Sequence, residues 1–512
     1  VGSLRRVRVA AFDLGSNSFH LIVAEVRAEG SFEPIITEKE MLRLGDLVGR
    51  HGRIPDEAAD AAVAVVRRFR QLADAAGADE VVACGTSALR RAANGGQVVD
   101  RIEAEAGVGV EVISGTREAE LIFRAIRAGV LLEPAPALCF DLGGGSVEIM
   151  VGDAGGLQYA ASENLGVGTL TAQFVDSDPL TKGDRRRMRA HITDVLGPVA
   201  DAVAELEPKL VVGSSGTLED IARMVAARRD TDAPRSLNQF TFERREFEAV
   251  HDEILGATAD ERLRFVGLET RRVDLIPAGV VFLATAMECF DFEEMTVSEW
   301  ALREGILLET IDRHDPVDWS SDPRAIRGAS VVALARRCNW HEAHARRVAQ
   351  LACSLFDQTT ELHGLDAVDR ELLEYACLLH DIGEHVSSHG HHRHGAYLVE
   401  HGQLRGFDPA EIQTLTALVR WHRRGNPDVE AYPLADLEQV EQLTAFIRLA
   451  DGLDRGRTGA VTGVDVRVGP SLVLLRLRAD GDAEIELWGA RRKRELFERA
   501  YDRDLEVTTQ VG

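Results

Sequence analysis

Two segments of this 512-residue chain align position by position: Phe12-Asp13-Leu14-Gly15-Ser16-Asn17-Ser18 and Phe140-Asp141-Leu142-Gly143-Gly144-Gly145-Ser146. Each follows an apolar run (Val7 to Phe12; Ala137 to Phe140) and precedes another (Phe19 to Val23; Val147 to Val151). Both therefore read as strand, tight polar turn, strand. Glycine lets the backbone close on a ligand, small hydroxyl and amide side chains add donors, and consecutive turn N–H groups form a concave nest for an anion. An Asp ending the leading strand is placed to hold a divalent cation, directly or through water. One such turn is usually only a hairpin. Two that match imply a duplicated architecture, with halves facing each other across a phosphate clamp.

Size and composition bound what surrounds this clamp. A chain of this length implies about three or four domains. No apolar run is long enough to cross a bilayer. The stretch Val1 to Phe12 lacks a cleavage-site pattern and reads as the first strand rather than a signal peptide. Six widely spaced cysteines form no C-x-x-C pair, which implies buried, reduced thiols in a cytoplasmic protein. A net charge of −25 argues against nucleic acid as a partner, and a polyanionic substrate would need a local basic path.

Residues 1–127 read as strands, then helix and strand in alternation, and residues 128–313 repeat the scheme, so an α/β class is expected. Pro55-Asp56-Glu57 opens a helix to about Ala76, Val81 to Cys84 is a strand, and Val108 to Ile113 is another, followed by an amphipathic helix to about Gly129. In the second half the strand Leu210 to Gly213 runs into Ser214-Ser215-Gly216-Thr217, a further phosphate-binding turn through Gly216 and Thr217, and then a helix. Val273 to Arg313 reads as helix, strand, helix. A linker is expected from His314 to Pro323, then a helical region over 324–460. A small α+β module is expected over 461–512, with strands at Val464 to Val468, Leu472 to Leu477 and Ala483 to Leu487.

Hydrolysing a phosphoanhydride requires charge neutralisation, an in-line water and a group to orient that water. In Ile113-Ser114-Gly115-Thr116-Arg117-Glu118-Ala119-Glu120 a strand stops and a helix begins, so amide donors and the helix dipole point to one spot. Glu118 in the first helical turn could reach a water as general base. Acidic residues favour first turns in any case, and Glu120 is a rival on a different face. Arg90 follows another strand-to-helix turn and could grip a phosphate. Glu148 stands in the second copy where His20 stands in the first, a place where a cation ligand would differ between halves.

Together these segments resemble the exopolyphosphatase/guanosine-pentaphosphate phosphatase (Ppx/GppA) family of the actin/Hsp70/sugar-kinase superfamily. The matching stretches are Phe12 to Leu21, Cys84 to Ala92, Val112 to Phe123, Cys139 to Val151, Asn164 to Phe174 and Val211 to Ala222, within roughly the first 310 residues. The resemblance implies duplicated actin-like (ribonuclease H-like) domains and a homodimer. It implies Glu118 as catalytic carboxylate, with Asp141, Glu148 and Asp13 serving Mg2+ or Mn2+. Ser16, Asn17, Ser18, Arg90, Gly144, Gly145 and Ser146 would cradle phosphates. The implied activity is release of terminal orthophosphate from inorganic polyphosphate, with removal of the 5′ γ-phosphate of guanosine pentaphosphate as the alternative. Arg117 departs from the pattern, since many members carry a second acidic residue there. A small-molecule kinase on the same fold and a non-catalytic sensor are the rival classes.

A second constellation lies downstream. His344, His380-Asp381 and Asp451 sit in helical patterns in the order H…HD…D, which resembles HD-type phosphohydrolases. Two neutral imidazoles and two carboxylates suit a divalent metal, so a second metal site is expected there, with His389, His391, His392, His394 and His422 available to extend it. In the long members of the resembled family such a domain serves chiefly to bind substrate and form the dimer.

Overall fold

The computed structural model describes residues 7–26, 32–229, 236–314 and 322–509. The chain separates into two compact units, one ending at Ala325 and one beginning at Ile326. Residues 315–321, inside the expected linker, lie outside the described residues.

In the first unit, β1 (Arg8–Leu14), β2 (Ser18–Val26), β3 (Phe32–Met41), β4 (Glu80–Gly85) and β5 (Val110–Val112) form a sheet in the order β3-β2-β1-β4-β5. The chain β6 (Ala137–Leu142), β7 (Val147–Asp153), β8 (Gly156–Glu163), β9 (Leu210–Ser214), β10 (Thr241–Glu243) and β11 (Glu294–Ser298) orders itself β8-β7-β6-β9-β11-β10. The two orders coincide except for the extra edge strand β10. In each sheet an antiparallel hairpin leads (Asp13 opposite His20; Asp141 opposite Glu148), β3 and β8 extend it antiparallel, and β4 and β9 add in parallel on its other side. The duplication read from the turns is thus a duplication of topology.

Parallel pairing requires helical crossovers. The helix Asp56–Ala75 follows Pro55, carries Asp56 and Glu57 in its first turn, and buries Ala59, Ala62, Val63, Val66, Phe69 and Ala73 at helical spacing. Phe69 meets Phe12 of β1 edge-on, ring centroids 5.7 Å apart. A separate cluster joins the halves. Val9, Ala11, Ile22 and Cys84 of the first sheet and Ala137, Cys139, Met150 and Val212 of the second share one core with the helices Gly115–Gly129 and Leu302–His314. The expected boundary at 127/128 therefore falls inside a helix, and Leu302–His314, assigned from sequence to the second half, packs against β1 of the first. Arg124 ties the two helices through Asp312 at 2.9 Å.

The second unit stacks helices Ala325–Arg337, Glu342–Asp357, Ala367–Leu379, His391–Glu400, Pro409–Trp421 and Leu437–Leu453. Next come β12 (Val461–Val468), β13 (Leu472–Ala479), the helix Glu484–Tyr501 and β14 (Asp504–Thr509), which joins β13 in parallel. The segment from Val461 is not a separate module, because its apolar side chains complete the helical core: Phe446 packs against Phe497 and Tyr501. Ala483 to Leu487, expected as a strand from its alternation, begins the last helix. There Ile485 lies exposed and Glu486 is buried, accepting from the Gly456 amide at 3.2 Å. Among the described residues no helix is long and apolar enough to cross a membrane, and all six cysteines are free thiols.

Candidate active site

The two echoing turns meet. A Cβ on Gly144 would lie 2.3 Å from Asn17 Cγ, and one on Gly145 would lie 2.7 Å from both Ser16 Oγ and Ser87 Oγ. Glycine is required at these positions by the approach of the opposite turn. Ser16 Oγ accepts from the Ala88 amide at 2.9 Å, fixing the first turn to the strand-to-helix turn that carries Arg90. In the second turn the carbonyls of Gly143 and Gly144 accept from the amides of Val167, Gly168 and Thr169, and the Gly145 carbonyl accepts from Thr169 Oγ1. A trans peptide points its N–H opposite its C=O. Anchoring these carbonyls on the helix Val167–Phe174 therefore turns the following amides, Gly144 to Ser146, the other way.

A cavity of about 230 Å³ opens between the turns. Its lining includes the expected Asp13, Ser16, Asn17, Ser18, Glu118, Asp141, Gly144, Gly145, Ser146, Gly216 and Thr217. Arg90 and Glu148 stand behind that lining. Arg90, expected on phosphate, donates through Nη1 to the Ile113 carbonyl at 2.7 Å and to Glu118 Oε2 at 3.1 Å. Glu148 is 1% exposed and accepts from Ser162 Oγ at 2.8 Å.

Glu118 occupies the first turn of Gly115–Gly129, whose N-cap Ser114 accepts from the Arg117 amide. It is 6% exposed, and burial, helped by the charge of Asp141 and opposed by Arg90, pushes its carboxyl up to about 7. Glu120 points elsewhere, paired with Arg117 at 3.0 Å, and Arg117 also pairs with Glu309 of the closing helix. The departure at Arg117 is thus outside the cavity lining and leaves Glu118 untouched.

The other carboxyls are also displaced. Burial raises Asp141 to about 6, although it accepts from Ser214 Oγ at 2.5 Å. Burial, then the charges of Glu118 and Asp141, push Asp13 and Glu148 well above the usual range. Asp13 Oδ1 is buried with no hydrogen-bond partner. This all-oxygen donor set fits a hard divalent cation. Among the described residues, however, no three of these cleft carboxylates converge on one point. A cation here would take one or two of them and draw its remaining ligands from water and phosphate, as Mg2+ commonly does.

Sequence reasoning missed the cationic wall. Lys39, Arg272 and Arg303 line the cavity. Arg272 donates to the Gly216 carbonyl at 2.8 Å and pairs with Asp220 and Glu269 at 2.9 Å. Lys39 pairs with Glu269 at 3.2 Å, and burial with the charge of Arg272 lowers its pKa. Arg303 lies 3.4 Å from His20 Nδ1 and beside Glu304. None sits in a repeated turn. Lys39's being one of only four lysines in an arginine-rich chain is the sole compositional signal.

In the second unit His344, His380 and Asp451 converge with ligand atoms within 4.8 Å of one another, and Asp381 joins His391 and His422 in the same way.

Two like α/β halves closing on a polar cavity through paired glycine turns define an actin-like fold. Residues 22–314 match the Ppx/GppA phosphatase family and residues 326–477 match domain III of that family, so this chain belongs to the Ppx/GppA phosphatases. An exopolyphosphatase from Cytophaga hutchinsonii is similar at 31% identity and a TM-score of 0.57, over 60% of this chain and 98% of its own. The Aquifex aeolicus Ppx/GppA family member is 27% identical with a TM-score of 0.52, over 60% and 99%.

Proposed function

We propose that the cleft of the first unit is an exopolyphosphatase site that releases terminal orthophosphate from inorganic polyphosphate. The observation that carries this reading is the placement of Glu118, a buried carboxyl raised to about 7, in the cavity where the two turns meet. The name of the Cytophaga relative favours polyphosphate as the substrate.

The amides of Gly144 to Ser146 and the hydroxyl and amide groups of Ser16, Asn17 and Ser18 would hold the non-bridging oxygens of the last phosphoryl group. Lys39 and Arg272, on the same wall, would meet the penultimate ones. Asp13 and Asp141 would hold Mg2+ or Mn2+, which when bound supplies neutralisation of phosphoryl oxygen charge. Glu118 takes a proton from a water as that water's oxygen bonds to phosphorus and the bridging P–O bond breaks, leaving the shortened chain as an anion. A base near neutrality is matched to this transfer. Arg90 holds the carboxylate in position, and Glu148 supports the second turn from behind through Ser146.

At the Gly216 turn Arg272 packs so closely that a Cβ would fall 1.8 Å from its Nη2, so only glycine fits there.

The test is orthophosphate release from long-chain polyphosphate and from guanosine pentaphosphate, side by side. Faster turnover of polyphosphate is expected. Far faster turnover of the nucleotide would overturn the substrate assignment in favour of the 5′-phosphohydrolase.

A further inference from the structure

Ser18 and His20 stand two residues apart on β2, on the face opposite Phe19 and Leu21, which are buried in the core behind the cleft. Both line the cavity. Across the sheet His20 is paired with Asp13 of β1 on one side and Lys39 of β3 on the other, so the three form a row along the cavity wall. The mechanism above leaves His20 without a task, yet both of its ring nitrogens have polar partners. Nε2 is 2.7 Å from Ser18 Oγ, and Nδ1 is 3.4 Å from Arg303 Nη1.

A guanidinium only donates. Arg303 therefore fixes the tautomer of His20: Nδ1 offers a lone pair, and the ring proton sits on Nε2. A second proton, on Nδ1, would set one N–H against another. Arg303 is itself held in place, its Nε donating to Glu304 Oε1 at 2.5 Å while Glu304 Oε2 accepts from the Ala301 amide at 3.0 Å. Burial in the cleft wall, then the charges of Arg303, Lys39 and Arg272, hold the imidazole well below the ordinary histidine range, in keeping with a neutral ring.

We infer that His20 is a positioning residue for the phosphate site: held by Arg303 with its proton on Nε2, it donates to Ser18 Oγ and so makes the Ser18 hydroxyl a dedicated donor to a phosphoryl oxygen in the cleft. The inference rests on the phosphohydrolase reading of that cleft. A hydroxyl has one proton to give and lone pairs to offer. Ser18 spends a lone pair on His20, and among the described residues its hydroxyl has no other hydrogen-bond partner, so its proton is left for the cavity. An ionised phosphoryl oxygen only accepts. With the other tautomer Ser18 would give its proton to His20 and turn lone pairs towards the substrate, a repulsion in place of a charge-assisted hydrogen bond. Arg303 thus acts on the substrate's oxygen at second hand, through the imidazole and the hydroxyl.

The test has a spectroscopic and a kinetic arm, both on the full chain. In protein isotope-labelled at its histidine nitrogens, the His20 signals are those lost in His20→Gln. At neutral pH they are expected to show a directly bonded proton at Nε2 and none at Nδ1. A proton on Nδ1 would overturn the inference, whatever the enzyme's rate. On long-chain polyphosphate, His20→Leu and Ser18→Ala should each lose about ten- to a hundredfold in kcat/KM. The double variant should lose no more than the worse single one, because His20 acts only through Ser18. His20→Gln, whose side-chain amide nitrogen can take the place of Nε2 as donor, should return to within about threefold of the parent. Losses that multiply in the double variant, or a His20→Gln protein as slow as His20→Leu with both folded by circular dichroism, would overturn the inference while the parent's activity upheld the cleft. A parent that releases orthophosphate from neither polyphosphate nor guanosine pentaphosphate would overturn the reading of the cleft and this inference with it.

Discussion

Arg90 Nη1 lies 3.1 Å from Glu118 Oε2, and the same nitrogen donates to the Ile113 carbonyl at 2.7 Å. One guanidinium thus ties the end of a strand to the first turn of the helix that follows it. It also tempers a carboxyl that burial pushes upward.

Replacing Glu118 by Gln keeps size and removes the base. Turnover on polyphosphate is expected to fall by about 10²–10⁴-fold, with the native circular dichroism spectrum retained. In the parent, kcat/KM should rise with pH and level off above about 7, because the carboxyl must be ionised to accept a proton. The residual rate of Glu118→Gln should lack that rise.

Arg90→Ala removes the group that lowers Glu118. An opposite charge at such range shifts a carboxyl by about one unit or more. The acid limb of the pH–rate profile should therefore move to higher pH, by at least about one unit. A profile that stays in place while only KM rises would return Arg90 to direct phosphate binding.

A Cβ at Gly166 would sit 2.5 Å from the backbone of Gly144 and Gly145. The Gly166 backbone is ordinary extended chain, so Gly166→Ala acts by collision alone. A destabilisation of about 1–3 kcal/mol is expected. Turnover should fall about 10²-fold as the second turn is displaced. Thermal melting and initial rates measure both.

Arg117 pairs on the half-exposed helix surface with Glu120 and Glu309. Such pairs contribute about 0–1 kcal/mol, so Arg117→Ala should change turnover less than about twofold. A larger drop in kcat would mean that this side chain reaches the cleft.

Four cleft carboxyls, Asp13, Glu118, Asp141 and Glu148, have raised pKa values in the fold. Between their unfolded values near 4 and their folded ones the native state binds more protons than the unfolded state, so stability falls as pH rises through that window. In chelator, the melting temperature of the first unit should drop from pH 5 to about pH 7. Added Mg2+ should flatten the drop, since a cation takes over the protons' role. Scanning calorimetry with and without Mg2+ distinguishes the two slopes.

The duplicated halves were legible because they rest on local signals: apolar runs of strand length, glycine turns and an acidic first turn. These placed β1, β2, β6 and β7 and singled out Asp13, Asp141 and Glu118. The same local reasoning failed at Ala483 to Leu487, where alternation mimicked a strand on a helix whose apolar residues Ile485 and Trp488 face outward. Partition of the chain was also out of reach, because Leu302–His314 returns to the first sheet and Phe497 and Tyr501 fill a core begun before residue 461.

Residue types and short spacings set which atoms could hold phosphate or metal in this protein. Folding alone decided which of them meet. Asn17 opposite Gly144, Arg272 over Gly216 and Asp381 between two pairs of imidazoles are encounters across tens to hundreds of residues. They depend on how sheets twist and helices cross. No local propensity encodes such distances, which arise only when separate apolar faces are buried together.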